Sequence, residues 1–230
     1  MSELAYLDQI RIILSLTMLG IATVSDIKNR EISDIIWIVF GAIGIGLVLL
    51  GTDLGLELPK VGISLIIAPF VLIIWRVGLF GGADAFALIV LAVLAPNLTT
   101  SGNTITPFTA LTNAVLMSIV PMIINVTRNS ILLATKKNIF EGFDETRKKK
   151  IIAMFVGYRA ANPKFSFSIE RKMGNQKKLN LALQHAENTV FCQKSDTWVT
   201  PGIPYMIFIT AGFVVQLIYG DIIMSIFGAL

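Results

Sequence analysis

Apolar residues run along this chain in long blocks separated by short polar breaks. The blocks predict six helices, at about residues 4–24, 34–50, 61–77, 83–95, 108–134 and 203–227. Ser33 and Asp34 suit the start of helix two, as N-cap and first-turn residue. Residues 51–60 read as a short loop, and Ile27 to Ile32 as a polar connection. Pro69 predicts a kink in helix three. Helix four, thirteen residues long, spans about 20 Å, less than the roughly 30 Å of a hydrocarbon core. Helix five carries Asn113, Pro121, Asn125 and Arg128, so its far end is expected to leave the bilayer.

Between helices five and six the pattern changes. Residues 136–201 hold thirteen of the 19 Lys and Arg residues and six of the 15 acids. No apolar run there is long enough to span a bilayer. Residues 144–159 suit a helix, or a helix leading into a strand. Phe165-Ser166-Phe167-Ser168-Ile169 alternates with period two and predicts a strand. Residues 189–192 and 198–200 are weaker strand candidates. The fold expected is therefore a polytopic α-helical membrane protein of six spans, with a small α+β insertion between helices five and six. Its parts are residues 1–134, 135–202 and 203–230.

Composition agrees with that class. Of 230 residues, 54% are hydrophobic and 15% charged, and the mean hydropathy is +0.74. Soluble domains carry about 25% charged residues. The first apolar run has no basic start and no small-residue cleavage site, so it reads as a retained span. One cysteine, Cys192, excludes an intrachain disulfide and a Cys-cluster zinc module. His185 lies in a polar stretch, without a supporting constellation. No metal or cofactor site is expected, and no nucleic-acid partner.

The positive-inside rule places the basic insertion in the cytoplasm. Counting back through six spans, the Lys28/Arg30 loop and the loop beside Arg76 fall on the same side. The residue 51–60 loop and the uncharged residue 96–107 loop fall outside. Asp26, ending helix one, and Asp84, opening helix four, then share one depth on the cytoplasmic side. Acids at such depth are costly and mark function. The plainer reading of Asp84 is a helix cap, favoured by the helix dipole. Asp8, Asp34, Asp53, Glu57 and Asp221 read as structural, by position or by capping. Two adjacent carboxylates cannot both ionise cheaply, so one can act as a base on water while the other donates a proton to a peptide carbonyl.

With these residues the sequence resembles the Gly-x-Gly-Asp aspartyl proteases of membranes, and within them the archaeal preflagellin peptidases, relatives of type IV prepilin peptidases. The resemblance rests on Ser25-Asp26-Ile27-Lys28-Asn29-Arg30-Glu31-Ile32, on Gly81-Gly82-Ala83-Asp84 and on the six-span layout. Ala83 stands where the motif has glycine. Pro201 and Pro204, entering helix six, are similar to the proline-containing element near such active sites, and also make an ordinary helix start. The resemblance implies catalytic Asp26 and Asp84, with Gly81, Gly82, Ala83, Pro201 and Pro204 in support. It implies a preflagellin or pilin-like precursor as substrate, with a short basic leader held at the cytoplasmic face. A basic insertion would repel such a leader, so membrane lipid is its expected partner. The rival reading is a proton-coupled transporter or channel with the two aspartates as a relay. Against it stand the missing inverted repeat and the shared depth of the two acids.

Overall fold

The computed structural model describes residues 3–51, 53–97, 105–135, 138–173, 176–182 and 189–228. They form two compact units, one of Met1–Met117 with Pro204–Leu230 and one of Ser118–Ile203. Among the described residues, three helical stretches are long and apolar enough to cross a membrane: Tyr6–Asn29, Leu54–Val77 and Thr106–Ala134. The apolar helices Asp34–Leu49, Gly82–Leu94 and Met206–Tyr219 are shorter.

The first unit holds α1 (Glu3–Asn29), α2 (Asp34–Leu49), α3 (Leu54–Ser64), α4 (Ile67–Val77), α5 (Gly82–Leu94) and α6 (Thr106–Met117). Later elements of the chain return to it as α9 (Met206–Tyr219) and α10 (Ile222–Gly228). α1 runs on through the polar residues Ile27 to Asn29, which the sequence had suggested as connection. It stops at Arg30, whose φ of 58° is left-handed. The expected loop at residues 51–60 is instead the start of α3. Asp53 caps it, its side chain accepting from the Gly55 N–H at 2.8 Å. Pro59 sits inside that helix.

Proline explains two interruptions. A proline ring collides with the carbonyl four residues earlier. For Pro69 that residue is Leu65, where α3 gives way to α4. For Pro121 it is Met117, where α6 ends. The last expected helix is also interrupted. Gly220, with φ 80°, separates α9 from α10. Asn113 of α6 holds the break from its buried side chain. Its amide donates to the Gly212 and Gly220 carbonyls, and its Oδ1 accepts from the Ile222 N–H.

α5 is the centre of this unit. It packs against α1, α2, α3, α4 and α6, and only Ala83, Phe86, Ile89 and Val93 are not buried. Lipid is as apolar as leucine, so close backbone approach rather than water exclusion holds such helices together. A Cβ at Gly44 of α2 would press on the Leu94 backbone at 3.2 Å, and one at Gly212 of α9 would collide with the Ala110 carbonyl of α6.

The second unit holds α7 (Ile119–Ala134), α8 (Arg147–Val156) and five short strands: β1 (Tyr158–Ala160), β2 (Ser166–Ser168), β3 (Glu170–Met173), β4 (Gln176–Leu179) and β5 (Thr197–Pro201). β5 lies between β1 and β2, antiparallel to both, and β3 and β4 form an antiparallel hairpin. Residues 189–192 form no strand, although the Cys192 N–H donates to the Ser166 carbonyl at 2.7 Å. Trp198 is the core of this unit. It stacks on Phe140 at 4.6 Å and donates from Nε1 to the Ile139 carbonyl. α7 is joined to α8 by side chains. Asn125 donates to the Phe155 carbonyl, and Asn129 to the carbonyls of Met154 and Gly157. The end of α8 thus finds its partners on α7. Burial works against the charge of Glu170. The cations Lys194 and Lys177 and the Thr197 hydroxyl outweigh it and hold that carboxyl below the usual range.

Candidate active site

Asp84 lies on the first turn of α5 and is buried. Its Oδ2 accepts from the Gly81 N–H at 3.1 Å, so the aspartate caps its own helix. Gly81 is the N-cap, Gly82 is buried as the first helical residue, and Ala83 packs on the apolar core. The tight approach to the cap comes after Gly78, whose φ of 84° ends α4 in the left-handed region.

Asp26 is half-buried in the last turns of α1, and the backbone N–H of Met206 lies near enough to its carboxylate to favour its charge. That N–H belongs to the first residue of α9, where unsatisfied donors and the helix dipole favour an anion. Arg30, one turn on from Asp26, adds a positive charge near the same carboxylate. Thr23, one turn back, continues the contact with α9. Its Oγ1 lies 2.7 Å from Thr210 Oγ1 and donates to the Met206 carbonyl at 3.3 Å.

Two independent links bring the aspartates to one end of the helix bundle. The first is aromatic. Phe80, just before the glycine segment, meets Tyr205 at 4.9 Å between ring centroids. Tyr205 is the N-cap of α9 and precedes Met206, whose N–H faces Asp26. The second is at the far end of the same helices. Arg11 of α1 donates from Nη1 to the Leu94 carbonyl, the last residue of α5. α1 and α5 are in contact, and each runs from this staple to its aspartate. At 1.5 Å per residue, Asp26 lies about 22 Å along α1 from Arg11, and Asp84 about 15 Å along α5 from Leu94.

The prolines fall at different places. Pro201 ends β5, opposite Ser166. Pro204 precedes α9 and its carbonyl accepts from the Ile207 N–H. The sequence reading passed over Phe80, Tyr205, Thr23 and the Met206 N–H. Thr23 had a signal, because it lies three residues before Asp26 on the same helical face. A backbone N–H leaves none. Among the described residues no three His, Cys, Asp or Glu side chains come close enough to hold a metal. His185 lies outside the described residues.

A family model described as the type IV leader peptidase family matches residues 13–125, and one described as archaeal peptidase A24 C-terminus type II matches residues 122–222. The chain belongs to the type IV leader peptidase family. The first match takes in Asp26 and Asp84, and the second takes in the start of α9. Three proteins named preflagellin peptidase are similar along most of their length. That of Methanocaldococcus jannaschii is 28% identical over 223 residues, covering 90% of this chain and 92% of the relative. Those of Methanococcus maripaludis and Methanococcus voltae are 29% and 27% identical, each covering 93% of the relative and 89% and 90% of this chain. As a member of the type IV leader peptidase family, the chain is a peptidase.

Proposed function

We propose that this peptidase is a membrane aspartyl endopeptidase that removes the short basic leader from preflagellin or pilin-like precursors, with Asp26 and Asp84 as its catalytic pair. The observation that supports this reading is that the start of α9 meets both segments, its Met206 N–H facing Asp26 and its N-cap Tyr205 packing on Phe80, four residues before Asp84. The names of the relatives support the substrate.

One carboxylate takes a proton from water as the water oxygen attacks the scissile carbonyl. The other, protonated, donates to the carbonyl oxygen. When the tetrahedral intermediate collapses, the C–N bond breaks and the leaving amine takes a proton from the dyad. The α9 N-terminus then does more than join helices. Its first N–H faces the Asp26 carboxylate, as the Gly81 N–H at the start of α5 holds that of Asp84, so each acid of the pair lies at a helix N-terminus.

In this reading α1, α2, α3 with α4, α5, α6 with α7, and α9 make six spans. The short α5 sets Asp84 below the cytoplasmic surface, where a basic leader stays during insertion of the hydrophobic segment behind it. Purified protein in detergent should shorten a preflagellin precursor to its mature length. Asp26→Asn and Asp84→Asn should each stop the cut. Full activity in either variant would end the proposal.

A further inference from the structure

α8 presents a face that the second unit does not cover. Its sequence, Arg147-Lys148-Lys149-Lys150-Ile151-Ile152-Ala153-Met154-Phe155-Val156, has four bases and no acid. Ala153 is buried against the core of the unit. Lys149 is occupied by Glu145 at 3.0 Å and by the Leu179 carbonyl, and Lys150 lies over the Phe140 ring. Arg147, Lys148, Ile151, Ile152 and Phe155 point the other way. At 100° per residue they fill one arc about 140° wide. Ile151, Ile152 and Phe155 are 56%, 49% and 45% exposed. A soluble surface does not collect three such residues beside two cations without a use for them.

The attachment of α8 says what that use is. Its last carbonyls are bound by Asn125 and Asn129 of α7. α7 belongs to an apolar stretch long enough to cross a membrane. Ile123 and Ile124 stand exposed on one side of those asparagines, and Ile131 and Leu133 on the other. The exposed apolar arc of α8 is therefore fastened beside a helix whose own outer surface suits lipid. A second cationic element is tied to the other end of α8. The Leu179 N–H of β4 donates to Glu145, and the β3–β4 hairpin sets Arg171 directly opposite Lys178. Like charges facing across a ladder destabilise it, unless an external anion offsets them.

We propose that α8 is an in-plane membrane anchor. Ile151, Ile152 and Phe155 enter the boundary between headgroups and acyl chains, and Arg147 and Lys148 meet anionic lipid headgroups. Apolar burial together with basic residues is what holds such helices at an interface. The anchor is separate from the chemistry of Asp26 and Asp84, so cleavage in detergent does not depend on it.

The test uses full-length protein with Cys192→Ser and a single nitroxide on Ile152→Cys, or in a second preparation on Phe155→Cys. It is reconstituted in vesicles of phosphatidylcholine with or without phosphatidylglycerol. Collisions with oxygen, which concentrates in lipid, and with an aqueous nickel chelate report depth. In anionic vesicles both labels should be reached by oxygen and shielded from nickel, while a label on Lys194→Cys stays in water. Arg147→Gln with Lys148→Gln should weaken docking about 30-fold, at about 1 kcal/mol per basic residue and tenfold per 1.4 kcal/mol. Labels at 152 and 155 open to nickel in anionic vesicles would overturn the anchor. So would labels shielded from both reagents already in detergent, which would mean that a second copy or another protein covers the face.

Discussion

α1 carries a buried charge system near each end, and the two are built differently. Near its start, Arg11 is buried and matched. Its Nη2 lies 2.8 Å from Glu57, whose other oxygen takes Lys60 at 3.0 Å, and its Nη1 meets the Leu94 carbonyl. The small polar pocket there is lined by Asp8, Arg11, Glu57, Lys60, Pro96 and Asn97, with room for about one water. Near its end, Asp26 faces the Met206 N–H with the charge of Arg30 nearby, and Asp84 of α5 accepts from the Gly81 N–H. Glu57, shared between two cations, ties α1 to α3 and serves as a staple. Asp26 and Asp84 have no such double cation contact among the described residues and are the acids proposed to do the chemistry.

The sharpest way to break this contrast is to neutralise each acid in turn. Asp26→Asn and Asp84→Asn should each lower precursor cleavage by at least about 100-fold, the scale of acid–base assistance, with the helical circular dichroism unchanged. Glu57→Gln should cleave at nearly the normal rate in the folded fraction. Equal losses at all three positions would mean that the two ends do not differ in kind.

The contrast also needs the two ends to face opposite sides of a membrane. With Cys192→Ser as background, a cysteine at Asn29 should react with an impermeant reagent only from the cytoplasmic side, and one at Asn97 only from outside. Labelling of both from one side would remove the sidedness on which the substrate assignment rests.

How much of this was legible in sequence follows from what each residue announces. Asp84 at the head of a short helix was visible, because an acid before an apolar run marks a first turn, and α5 begins one residue before the position expected. The interruptions near Pro69 and Pro121 are a direct effect of the proline ring. The helix over residues 54–60 was hidden, because its polar residues look like loop until Asp53 is seen to cap it and Arg11 to claim Glu57. Gly220 gave no warning in an apolar run, since the break depends on Asn113, far away in sequence. The hairpin of β3 and β4 was hidden because Lys and Arg have low strand preference. Its support comes from Glu170 and from the start of α8.

The next prediction concerns stability at the staple. Arg11→Met leaves Glu57, 14% exposed, with Lys60 as its remaining cation among the described residues. Breaking a buried pair from one side costs about 3–5 kcal/mol. Thermal unfolding in detergent should show a large loss, while the initial rate of cleavage, measured well below the transition, changes little. A slower cut with unchanged stability would place Arg11 in the catalytic machinery instead. Glu170 in the second unit is a milder case of the same kind. Its carboxyl lies below the usual range, so the stability it adds is present above the ordinary glutamate value. That stability is lost as pH falls through the lower folded value. Glu170→Gln should therefore flatten the acid side of the stability profile of the full-length protein.

The smallest expected effect tests whether α9 positions Asp26. Thr23 and Thr210 lie 2.7 Å apart, one turn from the Asp26–Met206 contact. Hydrogen bonds between membrane helices couple by about 0.6 kcal/mol on average, because the separated helices find other partners. Thr23→Val, Thr210→Val and the double variant should show a coupling of about that size in stability. The rate carries the sharper reading. If the seam only glues α1 to α9, all three variants should keep the cleavage rate of the parent at saturating substrate. If it aims the Met206 N–H at Asp26, each single variant should displace the pH–rate profile, because the carboxylate then loses a positioned donor. The double variant should then shift it no further than the larger single, since one contact is lost in every case. Additive shifts would mean that the two threonines act on Asp26 separately, and that the start of α9 does not position it through this seam.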